Sequence, residues 1–505
     1  MSLPSRPNIL FVTADQWRGE CIGRLGHMVR TPNLDALAAD GVLFRRHFAS
    51  AAPCGPSRAC LLTGMYLMNH RSGTNGTPLD ARFTNIALEA RKIGYAPALF
   101  GYTDTALDPR TRPASDPALA TYENVLPGFD AAVYLPEDPK AWLKWLRAKG
   151  VATPADDFDI YLPVDNYPGA EGKGPSYPPP AYGAEESSTA FLAGEVLSYI
   201  EEKGDEPWFV HLSWLRPHPP WIAPEPYNAM YDAEAVPGFI RRETREMEGE
   251  QHPWLAFQTN RSGFRAPEDD LAMRQFKATY YGLMSEVDDQ LGRILAALKA
   301  SGQYERTLIV FTSDHGEQMG DHWLLGKSGY FDQSFHIPLI IRDPRAEADG
   351  AHGTIVEAFT ESVDVTPTVL DVLGLEVPLT CDGRSLLPFL RGRPPADWRA
   401  EVHWEYDFRD IRGAAPETEL GLAIETSNLA VIADETTKYV HFAGLEPLLF
   451  DRAVDPGEFV NLAGQPAAAP RLAAYAGRML SWRMRHMERG LSHWHLGEGG
   501  PVFRR

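Results

Sequence analysis

Short apolar segments alternate with amphipathic segments along the first three quarters of this 505-residue sequence, and this alternation restricts the possible folds more than any other feature. Residues 8–14 and 307–312 are nearly continuous apolar runs between breakers, which is typical of strands buried on both faces. Residues 187–202 and 270–298 carry apolar side chains at helical spacing. The alternation predicts an α/β fold with a large, mixed but mostly parallel sheet between layers of helices. Further strands are predicted at 96–100, 208–212 and 337–341, and a further helix from Thr31–Pro32 to Gly41.

A different pattern begins near residue 392, where short apolar runs follow one another without intervening helices. We therefore predict two domains: an α/β domain of residues 1–392, and a smaller C-terminal α+β subdomain of residues 393–505 built on an antiparallel sheet. The Pro- and Gly-rich segment 153–184 is too long for an ordinary connection, and we expect it to be a functional loop. The C-terminal strands are predicted at 402–406, 429–432, 438–442 and 448–450, followed by a helix at 468–487 and a tail.

Composition excludes several classes of function. The formal net charge of −20 argues against a nucleic-acid partner, because phosphate backbones are held by clustered Lys and Arg. Residues 1–7 contain no apolar core of a signal peptide, and no apolar run is long enough to span a bilayer. Four scattered cysteines are too few for a disulfide framework in a chain of this size. These features predict a cytoplasmic protein without a membrane partner.

Two pairs of candidate metal ligands follow predicted strands. Asp15–Gln16 follows the strand at 8–14, and Asp314–His315 follows the strand at 307–312. Ligands of open parallel sheets gather beyond the carboxyl ends of the strands, so these four side chains can meet there. Oxygen ligands alone favour Mg or Ca, whereas the imidazole shifts the preference towards Mn, Zn or Fe. Alternatively, the two aspartates only cap the elements that follow them.

Cys54 lies where a helix is predicted to begin. Pro56 precedes an apolar run and is placed in the first turn of that helix. Free backbone N–H groups at a helix N-terminus favour an anion, and Arg58 adds a bidentate donor. On these grounds alone, a small buried thiol is an equally good interpretation.

The segment Cys54-Gly-Pro56-Ser-Arg58 matches the C-x-P-x-R signature of the type I sulfatases. Several blocks that resemble the same family follow in order along nearly the whole chain, which makes a chance match improbable. The resemblance implies an alkaline phosphatase-like fold and a formylglycine nucleophile that a maturation enzyme makes by oxidising Cys54 before folding is complete. The other blocks are 8–17, 31–37, 61–64, 312–316, 382–388 and 455–462.

Within this superfamily the chain resembles the phosphonate monoester hydrolase and phosphodiesterase branch and its related arylsulfatases. Asp15–Gln16 and Asp314–His315 match that branch, in which Mn is the usual ion, whereas typical sulfatases carry a set suited to Ca. The resemblance implies one divalent ion, with Mn favoured and Ca as the alternative. Its ligands would be Asp15, Gln16, the converted Cys54, Asp314 and His315.

The resemblance also assigns roles to side chains outside the metal set. His218 would be the general acid at the leaving group, although Pro217 and Pro219 could simply hold it in a rigid surface loop. Lys327 would neutralise charge, although most lysines are solvated. The implied catalytic residues are therefore Cys54, Arg58, His218 and Lys327, with Arg58 stabilising charge on the transferring group, and the implied substrate-binding residues are Asn75, Tyr102 and Asp104.

Asp104 departs from the phosphonate branch, which generally has Thr at this position. A carboxylate that faces an anionic ester is unfavourable unless it is protonated, paired or turned away. Because that hydroxyl is missing, we expect a sulfuric ester hydrolase, an arylsulfatase, that also accepts phosphonate monoesters and phosphodiesters. The alternative is that the phosphonate or phosphodiester activity is native.

Two further hypotheses compete with this one. An unmodified Cys54 or the nearby Ser57 could be the nucleophile of a metal-dependent phosphotransferase, or the chain could be an inactive metal-binding relative. The tail 491–505 carries Trp494 and Phe503 among glycines, and it either clasps a neighbouring subunit or packs on its own domain. Relatives of the family are dimers or tetramers, so we expect a homodimer or homotetramer.

Overall fold

A computed structural model describes residues 6–504 of the chain. The prediction that no signal peptide is present concerns residues 1–7, of which 1–5 lie outside the described part. The strands are β1 (Asn8–Ala14), β2 (Val42–Phe48), β3 (Ala51–Ala52), β4 (Ala98–Gly101), β5 (Asp130–Tyr134), β6 (Phe209–Trp214), β7 (Thr307–Thr312), β8 (His336–Ile337), β9 (Leu339–Arg342), β10 (Thr354–Glu361), β11 (Val402–Asp407), β12 (Asn428–Ala433), β13 (Thr437–Phe442), β14 (Leu448–Asp451), β15 (Trp494–Gly497) and β16 (Gly500–Phe503).

Helices pack on both faces of the larger sheet, and the last of them lies near the C-terminus. They are α1 (Pro32–Ala39), α2 (Cys54–Thr63), α3 (Leu67–His70), α4 (Ile86–Arg91), α5 (Lys140–Ala148), α6 (Ser188–Lys203), α7 (Arg245–Gly249), α8 (Pro253–Asn260), α9 (Asp270–Ala300), α10 (Asp332–Phe335), α11 (Val365–Val372), α12 (Leu387–Leu390), α13 (Ala415–Leu420) and α14 (Ala469–Arg485).

The larger sheet has the strand order β10-β2-β9-β7-β1-β6-β4-β5, and β8 pairs with β2 beside this path. The pairs that β1 forms with β6 and β7 are parallel, as are β4–β6, β4–β5 and β10–β2. Strands β8 and β9 run against their neighbours. The prediction of a mixed but mostly parallel sheet between helices is therefore confirmed.

Strand β1 is apolar at nearly every position because both of its faces are covered. All seven of its residues are buried. Leu10 and Val12 belong to the core that α6 and α9 complete, whereas Ile9 and Phe11 belong to the core on the α2, α4 and α11 side. Successive side chains of a strand point to opposite faces. A central strand between two helical layers therefore needs apolar residues at both odd and even positions.

Pro338 divides the strand predicted at 337–341 into β8 and β9. Proline has no backbone N–H to donate to a ladder, so the pairing is interrupted at this residue. The other predicted strands and helices of the α/β region are present, with bounds that shift by a few residues. The segment 153–184 is mostly irregular, as predicted, and contains the short 3₁₀ turn Asp157–Tyr161.

The second sheet has the order β14-β13-β12-β11-β3 and is antiparallel except for the pair between β11 and β3. Strand β3 lies just before Cys54 and pairs through Ala51 with Glu405 and through Ala52 with Tyr406. The antiparallel C-terminal sheet was predicted, but its attachment to the segment before Cys54 was not. The domain boundary at residue 392 stays a prediction.

Helix α14 and the tail follow the second sheet. The tail forms a hairpin of β15 and β16. Among the helices of residues 6–504, none combines the length and the apolar character that a membrane crossing requires.

Gly101 ends β4 in a conformation that only glycine adopts easily. Its φ is 112°, and a Cβ atom there would lie 2.1 Å from the carbonyl oxygen of Ser213. We expect Gly101→Ala to lower the free energy of unfolding by about 3 kcal/mol, because both the backbone strain and the clash must be relieved. Gly150 is the matched control, since its φ is 80° and no atom lies within 4 Å of its Cβ position. Gly150→Ala should cost about 1 kcal/mol. Equal losses in denaturant titrations of the two variants would contradict the steric argument.

Candidate active site

The candidate site lies beyond the carboxyl ends of the central strands. Asp15 follows β1 directly, and Asp314 comes two residues after the end of β7. Tyr102 follows β4, and Ser213 lies near the end of β6. The parallel order of these four strands brings their carboxyl ends to one edge of the sheet, so residues that are far apart in sequence meet there.

Cys54 is the first residue of α2, as the position of Pro56 predicted. The helix is buried along its whole length, and Cys54 is only 2% exposed. The N–H of Gly55 in the first turn donates to Oδ1 of Asn75, at 2.9 Å. The structure thus places Asn75 beside the predicted nucleophile.

Four of the predicted metal ligands converge. One ligand atom from each of Asp15, Cys54, Asp314 and His315 lies within 4.8 Å of all the others. Nε2 of His315 is 3.2 Å from Sγ of Cys54. Nδ1 of His315 is 3.0 Å from the carbonyl oxygen of Gly316, and since a carbonyl only accepts, Nδ1 carries the proton and Nε2 offers its lone pair.

The donor set fits a divalent cation. Within residues 6–504, Oδ1 of Asp15 is buried and has no hydrogen-bond partner. A buried carboxylate oxygen without a partner is costly, and a cation between Asp15, Asp314 and His315 would satisfy it. Two carboxylates, an imidazole and an oxygen at position 54 are ligand types that Mn and similar ions accept.

Gln16, the fifth predicted ligand, is held beside this group. Its backbone lies in the left-handed region at a φ of 69°, and its N–H donates to Oδ1 of Asp314 at 3.1 Å. Its side-chain oxygen accepts from Nζ of Lys327 at 2.7 Å, and its amide nitrogen donates to Glu317. Gln16 therefore links Lys327 to the carboxylate group, and its role as a ligand stays a prediction.

Arg58 connects the two carboxylates of the site. Its Nε donates to Asp314 and its Nη2 to Asp15, both at 2.9 Å. Its Nη1 donates to the carbonyl of Tyr102 at 3.1 Å and to Ser213 at 2.7 Å. These contacts use four of the five N–H groups of the guanidinium and leave one N–H on Nη2. Arg58 therefore holds the two carboxylates, and its predicted role in stabilising charge on the transferring group stays a prediction.

The other predicted substrate-binding residues surround the same point. The hydroxyl of Tyr102 donates to Oδ2 of Asp15 at 2.5 Å, so Tyr102 contacts a metal-ligand candidate. Asp104 is 5% exposed, and its Oδ2 is 3.9 Å from Nε of Arg58. Its Oδ1 has no hydrogen-bond partner in the described part of the chain.

His218 and Lys327 complete the predicted set. Nδ1 of His218 is 2.8 Å from the carbonyl oxygen of Pro219, which leaves Nε2 free to exchange a proton. Burial and the nearby Lys327 lower the pKa of His218 to about 3, so the ring is neutral in the free enzyme. Burial opposes a charge on Lys327, but Cys54 and Asp15 outweigh it and raise its pKa.

Sequence reasoning missed two polar residues of the site. Ser213 accepts from Arg58, and its place near the end of β6 was a signal that the strand-end argument could have used. Glu317 accepts from Gln16 and from the backbone N–H groups of Met319 and Gly326. No spacing in the sequence marked it, because its partners come from a loop that returns to the site.

The sequence matches the family described as Sulfatase over residues 7–375, and a C-terminal region described as N-sulphoglucosamine sulphohydrolase, C-terminal, over residues 320–484. The chain belongs to the sulfatase family. This confirms the resemblance drawn from the motifs around Cys54 and Asp314.

Individual members of the sulfatase family cover nearly the whole chain. The "Multifunctional alkaline phosphatase superfamily protein PehA" of Trinickia caryophylli is 45% identical, with 99% of each chain covered. The crystal structure of the phosphonate monoester hydrolase of Agrobacterium radiobacter is 49% identical, with a TM-score of 0.93 over 99% of this chain and 100% of that one. An arylsulfatase of Clostridium perfringens is 27% identical over 98% of each chain.

The two clustered carboxylates of this sulfatase-family chain cannot both ionise easily without a cation. Burial and the neighbouring Asp15 raise the pKa of Asp314 to about 7. Burial also opposes ionisation of Asp15, but His218 and Arg58 outweigh it and lower its pKa. Burial lowers the pKa of His315 to about 3, so its imidazole is neutral and ready to coordinate.

Proton release on metal binding tests this arrangement. Below about pH 7, Asp314 of the metal-free enzyme is protonated and must lose its proton to become a ligand. In enzyme converted at position 54, the affinity for Mn should rise about tenfold per pH unit up to about pH 7 and level off above it. Calorimetry in buffers of different ionisation enthalpy should show about one more proton released at about pH 6 than at about pH 8, because any proton from the hydroxyl at position 54 contributes at both. Release that is equal at both pH values would contradict the assignment, and Asp314→Asn serves as the control that has no proton to lose.

Proposed function

We propose that this chain is a formylglycine- and metal-dependent hydrolase of monoanionic sulfate and phosphonate esters. The observation that carries the proposal is the position of Cys54 at the N-terminus of α2, with its Sγ among the ligand atoms of Asp15, Asp314 and His315. A converted side chain at this position faces a cation site at the positive end of a helix dipole, and both stabilise an oxyanion.

The geometry favours conversion of Cys54 over the two unmodified nucleophiles. Burial and the Asp15 carboxylate raise the pKa of the Cys54 thiol, and a protonated thiol is a poor nucleophile. Ser57 is buried and donates its hydroxyl to the carbonyl of Asp314, at 2.5 Å. The Ser57 hydroxyl therefore stabilises the loop that carries Asp314 and is not available as a nucleophile. An inactive relative would have no use for the free Nε2 of His218 beside an intact ligand group.

The hydrate at position 54 and the ion have separate roles in the proposed reaction. The hydrate of the aldehyde at position 54 offers one hydroxyl oxygen to attack sulfur or phosphorus and a second hydroxyl to break the resulting bond. A divalent ion, held by Asp15, Asp314 and His315 together with the oxygens of residues 54 and Gln16, would supply the charge that lowers the pKa of a hydroxyl beside it.

The remaining residues bind the ester and move protons. Lys327 neutralises one negative charge on the transferring group, and Asn75 contacts its oxygens. Tyr102 can donate to the ester only by exchanging the hydrogen bond that it donates to Asp15 in the free enzyme. Nε2 of His218 gives its proton to the oxygen of the leaving alcohol as the bond to sulfur or phosphorus breaks. An anionic ester in the site would favour the protonated ring that this step needs.

The second step needs no external water at sulfur or phosphorus. The remaining hydroxyl at position 54 gives its proton to Nε2 of His218, which the first step left unprotonated. Its carbon–oxygen bond becomes the aldehyde carbonyl, the bond from the same carbon to the ester oxygen breaks, and sulfate or phosphonate leaves. A serine could complete only the first step, because its adduct has no second hydroxyl.

One net charge per ester explains why three kinds of ester fit one site. A sulfate monoester, a phosphonate monoester and a phosphodiester each carry one negative charge, which one divalent ion and Lys327 can balance. We place sulfate first because Asp104 lacks the hydroxyl of the phosphonate branch. The phosphonate hydrolase that is 49% identical favours phosphonate monoesters as the second candidate. Steady-state rates on matched aryl sulfates and aryl phosphonates rank the two.

We assign Mn rather than Ca to the site. His315 provides an imidazole, which hard ions such as Ca rarely accept, whereas Mn accepts imidazole and carboxylate together. The ion bound by purified enzyme is identified by elemental analysis.

Substitution at position 54 separates the two steps. In Cys54→Ser, we expect one attack and no release, so a sulfated or phosphonylated serine accumulates after a single turnover. In Cys54→Ala, neither step occurs, and this variant is the matched control. Intact-protein mass after incubation with an aryl ester measures the adduct. Steady turnover by the alanine variant, or wild-type enzyme that is active with an intact thiol at position 54, would refute the proposal.

We further propose that the chain forms a homodimer or homotetramer through its C-terminal end. The backbone hydrogen bonds of β15 and β16 remain within the hairpin and its flanking residues, and Leu496 is 77% exposed. Met484 on the last turns of α14 and Leu491 are exposed as well. Apolar side chains that are exposed together along one segment usually meet a partner surface.

Removal of residues 491–505 tests the assembly. If the hairpin joins subunits, the truncated chain should have the solution mass of a smaller assembly in sedimentation or light scattering. The double substitution Leu496→Ser with Val502→Ser keeps the chain length and removes two exposed apolar side chains. It should also lower the solution mass. An unchanged mass for both variants would show that the hairpin packs on its own subunit.

A further inference from the structure

The segment after β6 that carries His218 has few backbone hydrogen bonds of its own. In residues 217–220, three of the four residues are prolines, which have no backbone N–H. The single N–H of this segment, that of His218, donates to the carbonyl of Leu215 at 3.0 Å. Neither a helix nor a strand includes these residues, so their conformation depends on contacts with side chains.

Arg216 supplies these contacts. Its Nη1 donates to the carbonyl of His218 at 2.9 Å and to the carbonyl of Pro220 at 2.8 Å. Between these two residues, the carbonyl of Pro219 accepts from Nδ1 of His218 at 2.8 Å. Arg216 therefore holds the backbone on both sides of the carbonyl that orients the His218 ring. This orientation decides where Nε2 of the ring points.

The guanidinium of Arg216 is itself buried. The residue is 2% exposed, and it forms no ion pair with a carboxylate of residues 6–504. Its guanidinium carbon is 5.0 Å from the centre of the Tyr161 ring. A buried charge is costly unless nearby groups compensate it. The nearest compensation comes from the two carbonyl oxygens and from this ring, so the guanidinium and the segment that it contacts stabilise each other.

Tyr161 belongs to segment 153–184, the long irregular segment that the sequence marked as a functional loop. Its side chain is buried, and its ring centre is 5.8 Å from that of Trp142 on α5. The same segment also contacts the chain that follows the general acid, because the hydroxyl of Tyr167 donates to Oε1 of Glu225 at 2.6 Å. The segment therefore supports the general-acid region at the guanidinium and again a few residues later.

We infer that Arg216 is the positioning residue of the general acid, and that segment 153–184 supports Arg216 through Tyr161. This inference rests on the proposed function, in which Nε2 of His218 protonates the leaving oxygen. Arg216 acts through the His218 ring alone. Removal of its hydrogen bonds leaves the cation site and position 54 in place, but it lets the ring turn away from the leaving oxygen.

The dependence of the rate on the leaving group tests the inference. Phenol leaves poorly unless its oxygen is protonated, whereas the more acidic 4-nitrophenol leaves readily as an anion. Loss of the general acid therefore slows a phenyl ester much more than a 4-nitrophenyl ester. We define the leaving-group ratio as kcat/KM for the 4-nitrophenyl ester divided by kcat/KM for the phenyl ester. It is measured with formylglycine-containing, metal-loaded enzyme on sulfates and on phenylphosphonates.

Arg216→Met removes the donors of the side chain and keeps much of its length. We expect the leaving-group ratio to rise by about tenfold or more in this variant, and at least as much in His218→Ala. The double variant should have the ratio of His218→Ala, because Arg216 acts only through that ring. Arg216→Lys keeps a donor for the two carbonyls but loses the planar group over Tyr161, so its ratio should lie between those of wild type and Arg216→Met. Tyr161→Leu should raise the ratio by about threefold.

Arg342 provides a matched control. It is 4% exposed, its Nη1 donates to the carbonyls of Tyr304 and Thr307 at 2.8 and 3.3 Å, and its guanidinium carbon is 4.0 Å from the centre of the Tyr304 ring. These contacts lie at the start of β7, whereas Asp314 follows its end. Arg342 also pairs with Glu305, so Arg342→Met should lose at least as much stability while its leaving-group ratio stays that of wild type. Thermal unfolding shows whether each variant is folded in the assay, and Arg216→Lys with Tyr161→Leu gives the same test if Arg216→Met does not fold.

The outcomes separate this inference from the proposed function. If Arg216→Met slows both esters equally, so that the ratio stays within about twofold of wild type, Arg216 only stabilises the fold and the inference fails while the hydrolase remains. An equal rise of the ratio in Arg342→Met would also refute the inference. If wild-type enzyme hydrolyses none of the four esters, the proposed function itself fails. A raised ratio in Arg216→Met that adds nothing in the His218→Ala background supports the positioning role.

Discussion

The arginine clamp at Arg58 is the interaction on which the site depends. Asp15 and Asp314 are almost completely buried and come from strands β1 and β7, and one guanidinium bonds to both. Two buried carboxylates this close would repel each other strongly, and the arginine makes their approach possible before any ion is bound. Because Arg58 lies one turn into α2, the same contact fixes the height of Cys54 above the sheet. The clamp therefore sets the spacing between nucleophile and cation site.

The C-terminal sheet supports the site from a second direction. Lys438 on β13 is fully buried and pairs with Asp332 and Glu458 at 2.7 and 2.6 Å. Asp332 begins α10, just after the loop that carries Lys327. Breaking a buried pair by removing one partner costs about 3–5 kcal/mol, so this network holds the loop firmly to the second sheet. The position of Lys327 in the active site thus depends on a strand more than one hundred residues later in the sequence.

Sequence alone placed Asp15, Asp314 and Cys54 correctly because each follows a local signal. The first two end apolar runs, and the third precedes Pro56 at a helix start. The contacts of Arg58 were beyond sequence reasoning, because a long flexible side chain can reach either the substrate or the carboxylates, and only the assembled fold decides. The same limit applies to the pairing of β3 with β11, which joins Ala51 to Glu405. Strand pairing at long range is what local patterns do not contain.

The burial of Cys54 constrains when it can be converted. In the folded chain it is 2% exposed, on a helix in which every residue is buried, so an enzyme that oxidises it cannot reach it there. The segment just before it, β3, becomes an edge of the second sheet by pairing with β11 at Glu405 and Tyr406. This pairing can form only after residues 402–407 have been made. The proposed conversion of Cys54 would therefore have to precede the pairing that attaches the segment before it to the second sheet.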